Sequence, residues 1–172
     1  MQDFDVRVRA VRDDQWTLPT PCTEWDVRAL VSHVVWGNLT VPPMLDGMPM
    51  DDVPLPSDPI GEWASSAEAA AAALEREGAF ETIVHHTLGD INGEILANFR
   101  FADHLIHAWD LARAIGTDER LDEELVAYCL ERTRPFGSLI AATGRFAPAV
   151  PLAAGADPQV ELLALHGRDA RA

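Results

Sequence analysis

The chain has 172 residues, of which 48% are hydrophobic, and its 28 acidic against 13 basic side chains give a formal net charge of −15. This length and hydrophobic content predict a folded core, and the negative charge argues against nucleic acid or an anionic membrane surface as a partner. No apolar run reaches the ~18 residues of a membrane span, and no signal peptide is visible at the N-terminus. Two cysteines, Cys22 and Cys129, make no disulfide framework and suit a reducing cytoplasm.

The first half of the chain predicts three helices separated by loops that contain proline. Residues 4–11 have the amphipathic pattern of a first helix. Thr23 is the predicted N-cap of a second helix, and Pro42 and Pro43 should break or kink that helix. Residues 61–77 form a clear third helix, which includes a run of five alanines.

The second half predicts one long helix, two shorter helices and a long connection. Residues 80–91 alternate like a strand, but a short strand without a mate does not form a sheet, so this segment is expected to be an extended loop. A helix follows from Gly93 to Gly116, and a fifth helix is expected over 121–133. Residues 135–158 are rich in glycine and proline and predict a long connection, and 159–166 a short final helix. The expected fold class is all-α, an up-and-down bundle.

The long helix from 93 to 116 has apolar residues around most of its circumference, which predicts that it is buried. Asp103, His107 and Asp110 nevertheless fall within roughly 60° of one another on it. Buried carboxylates and an imidazole need polar partners or a metal ion. This face is therefore the first candidate for a functional site.

The Asp103 and His107 side chains have the i, i+4 spacing that lets one helical face bind one metal ion. His33, on the second helix, would supply a third ligand and leave one coordination position open, as in catalytic sites. These donors suit zinc, nickel, iron or manganese, and binding should weaken below the ordinary histidine pKa of about 6.5. The spacing is not specific, because about one such pair is expected by chance and the chain has two, the other being Glu81 and His85. The alternative is a buried Asp–His pair without a metal.

The remaining histidines and Cys22 have weaker claims to function. His85 and His86 could reach a metal but are expected to be exposed in a polar loop. His104 could replace Asp103 as a ligand, although a hydrogen-bonded core histidine is the simpler interpretation. Cys22 could be a nucleophile, but no histidine is adjacent in sequence to activate it. His166 is expected to cap carbonyl groups of the last helix.

Three segments together carry a resemblance to a known family. Residues 16–34 contain the pattern W-x-x-P-T-P-C-x-x-W-D-V, residues 102–116 contain D-H-x-x-H-x-W-D-L-A-R, and the third segment is 157–168. In this combination the chain resembles the actinobacterial metal-binding proteins related to the N-terminal domain of mycothiol-dependent maleylpyruvate isomerase, in the DinB-like superfamily. The resemblance covers nearly the whole chain.

The resemblance implies a single DinB-like metal-binding domain over residues 1–172, a four-helix bundle with a divalent metal between helices. By position the family's ligands fall on His33, Asp103 and His107, and the expected metal is zinc, with nickel, iron or manganese as alternatives. The isomerase has a glutamate where this chain has Asp103, and nothing here matches its additional C-terminal domain. The isomerase's substrate is therefore not carried over.

Two classes of function follow from the resemblance and the site. One is a thiol isomerase or transferase in which the metal activates mycothiol or a similar small thiol toward an electrophile. The other is a metal- or ligand-binding or sensing bundle without catalysis, which a fourth protein ligand such as Asp110 or His86 would favour. Asp110 itself is expected to orient a ligand from outside the coordination sphere. No catalytic residue is assigned, and a homodimer is compatible with the sequence.

Overall fold

The computed structural model describes residues 2–136 and 147–171, and the chain divides into two compact units, residues 1–118 and 119–172. The described residues are mostly helical and contain one two-stranded antiparallel sheet. The all-α prediction is confirmed in this coarse form, but the fold is not a pure bundle because of the sheet. One domain over residues 1–172 stays a prediction.

The first unit contains four helices and the hairpin. Its elements are α1 Gln2–Arg9, α2 Val27–Leu45, α3 Pro59–Leu74, β1 Ile83–His86, β2 Gly89–Asn92 and α4 Gly93–Ile115. Helix α2 packs against both α3 and α4, and α1 packs against α4. The second unit contains α5 Glu123–Thr133 and α6 Pro158–Leu165, which pack against each other.

In the part of the chain that the structure describes, each α-helix after α1 begins at an acidic or amide side chain that accepts hydrogen bonds from the first backbone N–H groups. These N-caps are Asp26, Asp58, Asn92, Asp122 and Asp157. The prediction of Thr23 as the cap of α2 is wrong, since the Asp26 carboxylate accepts from the Ala29 N–H at 2.8 Å. Residues before Asp26 belong to a folded-back loop, and this loop delays the start of the helix.

The two prolines of α2 do not break the helix, although a break was one of the two predicted outcomes, the other being a kink. Pro42 and Pro43 lie inside α2, which continues through Met44 and Leu45. Each proline lacks the backbone N–H that would continue the helical hydrogen bonds. The helix ends two residues after Pro43, so the loss falls in its last turn. The N–H of Asp46 then bonds to the Pro42 and Pro43 carbonyls and closes the last turn.

The extended loop predicted over 80–91 is wrong, because its second half supplies the missing mate for the first. Strands β1 and β2 pair antiparallel, with Ile83 opposite Asn92 and His86 opposite Gly89. The sequence did not reveal β2 as a strand because Gly-Asp-Ile-Asn has no alternation of hydrophobic and polar residues. Val84 of β1 is fully buried in an apolar cluster, so packing stabilises a hairpin that strand propensity alone does not favour.

Helix α4 matches its prediction at both ends, but only its second half is buried as predicted. It begins at Gly93 and ends at Gly116, whose φ of 71° is the left-handed conformation that glycine adopts at a helix C-terminus. Residues 104–112 are all buried, whereas Ile95 and Phe99 in the first half are exposed. His107 and Asp110 lie in this buried half, and the half-buried Asp103 directly precedes it.

The predicted connection over 135–158 can be compared with the structure only in part, and the predicted last helix in full. Of the predicted connection over 135–158, residues 137–146 lie outside the described part of the chain. The final helix is confirmed at Pro158–Leu165. Among the residues that the structure describes, no helix is both long and apolar enough to cross a membrane.

Candidate metal centre

The loop before α2 places two side chains beside the buried half of α4. The Thr20 hydroxyl accepts from the Cys22 N–H at 3.1 Å and donates to the Trp25 carbonyl at 2.9 Å. The Val27 N–H then donates to the Leu18 carbonyl at 3.0 Å. These bonds fold the proline-containing motif back on itself and hold Cys22 and Trp25 against the site.

The structure brings together the three predicted ligands, His33 on α2 and Asp103 and His107 on α4. Asp103 Oδ1 lies 3.3 Å from His33 Nε2 and 3.4 Å from His107 Nε2. One donor atom from each residue lies within 4.8 Å of the others. The His107 side chain is 4% exposed and that of His33 28%, so the cluster opens to solvent on the His33 side. Whether a metal binds there stays a prediction.

Asp110 lies at the other ring nitrogen of His107. Its Oδ2 is 2.9 Å from His107 Nδ1, and its side chain is fully buried. A solvated acid is therefore excluded at this position. The carboxylate can fix the orientation and tautomer of the His107 ring, as outer carboxylates do for metal-bound histidines.

Arg100 belongs to the site and was missed by the sequence reasoning. Its Nη2 donates to Asp103 Oδ2 at 2.7 Å, and its side chain is 12% exposed. The guanidinium occupies the space that a Cβ at Gly37 would need, so glycine on α2 lets it lie against that helix. The i, i+3 spacing of Arg100 and Asp103 was an available signal, because such residues share a helical face.

Aromatic rings form one wall of the site. The Trp25 ring centroid is 4.6 Å from that of His33 and 5.9 Å from that of His107. The two imidazoles are 5.2 Å apart in an edge-on arrangement. The indole therefore packs against the His33 ring and lies close to the His107 ring.

Cys22 reaches the site from the loop, 88 residues before Asp110 in sequence. Its Sγ lies 3.4 Å from Asp110 Oδ2 and within 4.8 Å of a ring nitrogen of His107. The sequence reasoning found no histidine beside Cys22. The fold places His107 near Cys22 through a long-range contact. In the sequence, only the family resemblance of the segment that contains Cys22 could have suggested it.

Charge balance in the site favours an ionised carboxylate and a protonated imidazole when no metal is bound. Burial raises the pKa of Asp103, but the Arg100 guanidinium and the His33 and His107 rings outweigh it and leave that pKa well below its usual range. Burial lowers the pKa of His107, but Asp103, Asp110 and Cys22 outweigh it and leave that pKa well above its usual range. A metal ion must therefore displace a firmly held proton from His107.

His104 does not join the ligands. Its ring packs near Phe4 and Trp63, with centroid distances of 6.2 and 5.8 Å. It is a core histidine as predicted, although its Nε2 has no hydrogen-bond partner among the described residues. Burial holds its pKa well below the usual range, with a further lowering from Arg100.

The other histidines each have a hydrogen-bond partner close by in sequence. His85 is exposed on the hairpin and pairs with Asp90 across the strands at 2.8 Å. The His86 Nδ1 accepts from the Leu88 N–H. His166 Nδ1 is 2.9 Å from the Leu162 carbonyl of α6, which agrees with the predicted cap.

Comparisons with known proteins agree with the sequence resemblance. The family model described as the mycothiol maleylpyruvate isomerase N-terminal domain matches residues 1–59. Two Mycobacterium tuberculosis proteins, the uncharacterized proteins MT0763 (strain CDC 1551 / Oshkosh) and Rv0738 (strain ATCC 25618 / H37Rv), are each 35% identical over 173 residues, which covers 98% of this chain and 93% of each relative. No solved structure matches. The family match includes His33, whereas Asp103 and His107 lie only within the longer matches.

Proposed function

This chain belongs to the family of proteins related to the mycothiol maleylpyruvate isomerase N-terminal domain, and from that premise we propose that it binds one divalent metal ion through His33, Asp103 and His107. The proposed ion is zinc, with nickel, iron or manganese as alternatives that the same donors accept. Helices α1–α4 would form the DinB-like bundle around it.

The distances between donor atoms carry the proposal. A tetrahedral ion with bonds of about 2.0–2.1 Å holds its nitrogen and oxygen ligands about 3.3 Å apart. Asp103 Oδ1 lies 3.3 and 3.4 Å from the Nε2 atoms of His33 and His107. These separations exceed the ~2.7–2.9 Å of a charge-assisted hydrogen bond. The contacts from Arg100 to Asp103 and from His107 to Asp110 fall within that range, at 2.7 and 2.9 Å.

Arg100 and Asp110 each hold the far atom of a proposed ligand. Arg100 binds Asp103 Oδ2, which leaves Oδ1 directed at the two imidazoles. Asp110 accepts a hydrogen bond from the Nδ1–H of neutral His107, which leaves the Nε2 lone pair for the ion. Both contacts restrict the side-chain conformations of the two ligands in advance, so metal binding has less conformational entropy to remove.

A bound ion at this centre would act as a Lewis acid that lowers the pKa of a coordinated thiol. Three protein ligands leave a coordination position for it, and the 28% exposure of the His33 side chain provides access from solvent. We therefore propose a thiol isomerase or transferase that uses mycothiol or a similar small thiol in the cytoplasm. The alternative is a bundle that binds or senses a metal or ligand without catalysis.

Cobalt substitution tests this proposal and separates the two functions. The experiment uses Cys22→Ser protein, so that any sulfur-to-cobalt charge-transfer band comes from the added thiol. We expect one equivalent of cobalt to bind and mycothiol or 2-mercaptoethanol to produce the band. Cobalt binding without the band would favour the sensing alternative, and no cobalt uptake would refute the metal site. His33→Gln in the same background is the control that should show neither signal.

Asp110→Asn should weaken metal binding by about 10- to 100-fold, the usual cost of losing an outer carboxylate on a metal-bound histidine. The amide keeps the shape of the side chain, but it removes the charged carboxylate that accepts the hydrogen bond from His107 Nδ1–H. Competition with a chelator measures the affinity. Asp90→Asn is the matched control, since Asp90 pairs with His85 at 2.8 Å on the hairpin, away from the site. Equal affinity in wild type and Asp110→Asn would remove Asp110 from the centre.

A further inference from the structure

The two ring nitrogens of His107 face two different sets of metal-binding atoms. Nε2 faces Asp103 and His33, which form the centre proposed above. Nδ1 faces the Asp110 carboxylate, and the Cys22 thiol lies beside that carboxylate. Cys22, His107 and Asp110 each offer a donor atom within 4.8 Å of the other two. This second set contains a sulfur atom, which the first does not.

We propose that Cys22 Sγ, His107 Nδ1 and Asp110 Oδ2 form a second metal site, specific for thiophilic ions such as Cd²⁺. The site goes beyond the proposed function, and its existence does not depend on the first centre. Thiolate ligands select soft and borderline ions. The buried Asp110 carboxylate supplies negative charge and the partly exposed Cys22 gives a path for entry.

The spacing of the sulfur and oxygen atoms is close to that of a tetrahedral metal site. For zinc, a borderline thiophilic ion, bonds of about 2.3 Å to sulfur and 2.0–2.2 Å to oxygen place the two ligands about 3.6 Å apart. Cys22 Sγ and Asp110 Oδ2 are 3.4 Å apart. His107 Nδ1 is closer to Asp110 Oδ2, at 2.9 Å, because a hydrogen bond now joins them. The ion would replace that bond with one metal–nitrogen and one metal–oxygen bond.

The two sites exclude each other, because a neutral imidazole has only one nitrogen with an available lone pair. When the thiophilic ion binds Nδ1, it displaces the Nδ1 proton of the protonated imidazole and the thiol proton of Cys22. Both protons pass to solvent, and the remaining ring proton resides on Nε2. Metal–sulfur, metal–nitrogen and metal–oxygen bonds form without any change of oxidation state. The chain therefore binds one ion at a time, and only this competition rests on the proposed function.

Cadmium titration of the metal-free full chain tests the site through its thiolate-to-cadmium absorption band. We expect the band to saturate at one equivalent in wild type. Cys22→Ser should lose the band and bind cadmium at least about 100-fold more weakly, beyond the usual cost of an outer contact. Cys129→Ser is the matched cysteine control and should keep the band, because burial raises the pKa of the Cys129 thiol to about 12.

Asp103→Asn separates this proposal from the first centre. It damages the first centre but should leave the cadmium band intact, since Asp103 faces Nε2. Loss of the band in Asp103→Asn would overturn a separate site, because the thiolate would then complete the first centre. No band in wild type, or an unchanged band in Cys22→Ser, would also overturn it. A zinc-loaded chain should release its zinc as the band develops, and retained zinc would overturn the mutual exclusion.

Discussion

His33→Gln, Asp103→Asn and His107→Gln should each weaken zinc binding by more than about 100-fold, beyond the usual cost of an outer contact. Each change removes one of the three donor atoms that lie within 4.8 Å of one another. A metal that binds only the folded state stabilises it by about 2.7 kcal/mol when its concentration is about 100 times Kd. For a chain of 172 residues this corresponds to a rise in Tm of about 5–10 °C. The variants should lose most of that rise.

The increment in Tm on adding zinc is the quantity to compare, rather than Tm itself. His107→Gln also removes a partner from the buried Asp110 carboxylate and from the half-buried Asp103 carboxylate, so the metal-free variant is expected to be less stable for a reason unrelated to the metal. Thermal scans with and without zinc, with elemental analysis of the purified protein, give the increment and the stoichiometry. His85→Gln is the matched control, because His85 is exposed and pairs with an aspartate elsewhere.

Two outcomes would contradict the assignment in different ways. If all three variants retain one equivalent of metal, the ion binds elsewhere. If wild type takes up no divalent metal at neutral pH, the residues form an internal polar network and the proposed thiol chemistry is lost with the metal. The cadmium site could survive the first outcome, since it needs neither His33 nor Asp103.

Local sequence signals predicted the helices well where one residue type dictates the conformation. Gly116 ends α4 in the left-handed region, and Asp157 with Pro158 begins α6. The errors came from features that depend on distant partners. The hairpin needs burial of Val84 against other elements, and the start of α2 depends on a loop that folds back onto it.

The candidate ligands show how far spacing alone can select a site. The chain contains two acid–histidine pairs at i, i+4. Asp103 and His107 lie together on α4, whereas His85 pairs with Asp90. Spacing did not distinguish the two pairs, but the predicted burial of the long helix did. His33 as the third ligand was strengthened by the family resemblance.

Cys22 was beyond the reach of local reasoning, and for Arg100 the i, i+3 spacing to Asp103 was the one local signal, while the rest of its setting comes from a contact across the fold. Arg100 fits only because Gly37 on another helix leaves room for its guanidinium. Cys22 meets Asp110 across 88 residues. Neither relation has a sequence period. The structure thus adds to the predicted triad the groups that set its charge and orient its ligands.

The pH dependence of zinc binding should follow His107 and should start at a higher pH than an ordinary histidine predicts. A proton on His107 competes with the ion, so affinity falls by about tenfold per pH unit below the His107 pKa. Because Asp103, Asp110 and Cys22 raise that pKa well above its usual range, the fall should begin above about pH 6.5. The lowered pKa of Asp103 keeps its carboxylate ionised throughout this range.

Calorimetric zinc titrations in a pH series would locate this break, and Asp110→Asn provides the matched comparison. Removing the Asp110 carboxylate takes away one of the groups that raise the His107 pKa, so the break should move to lower pH. The affinity on the high-pH plateau should fall at the same time, because the ring loses its orienting partner. A break at or below about pH 6.5 in wild type, or an identical break in both proteins, would show that His107 is not the group whose proton the metal displaces.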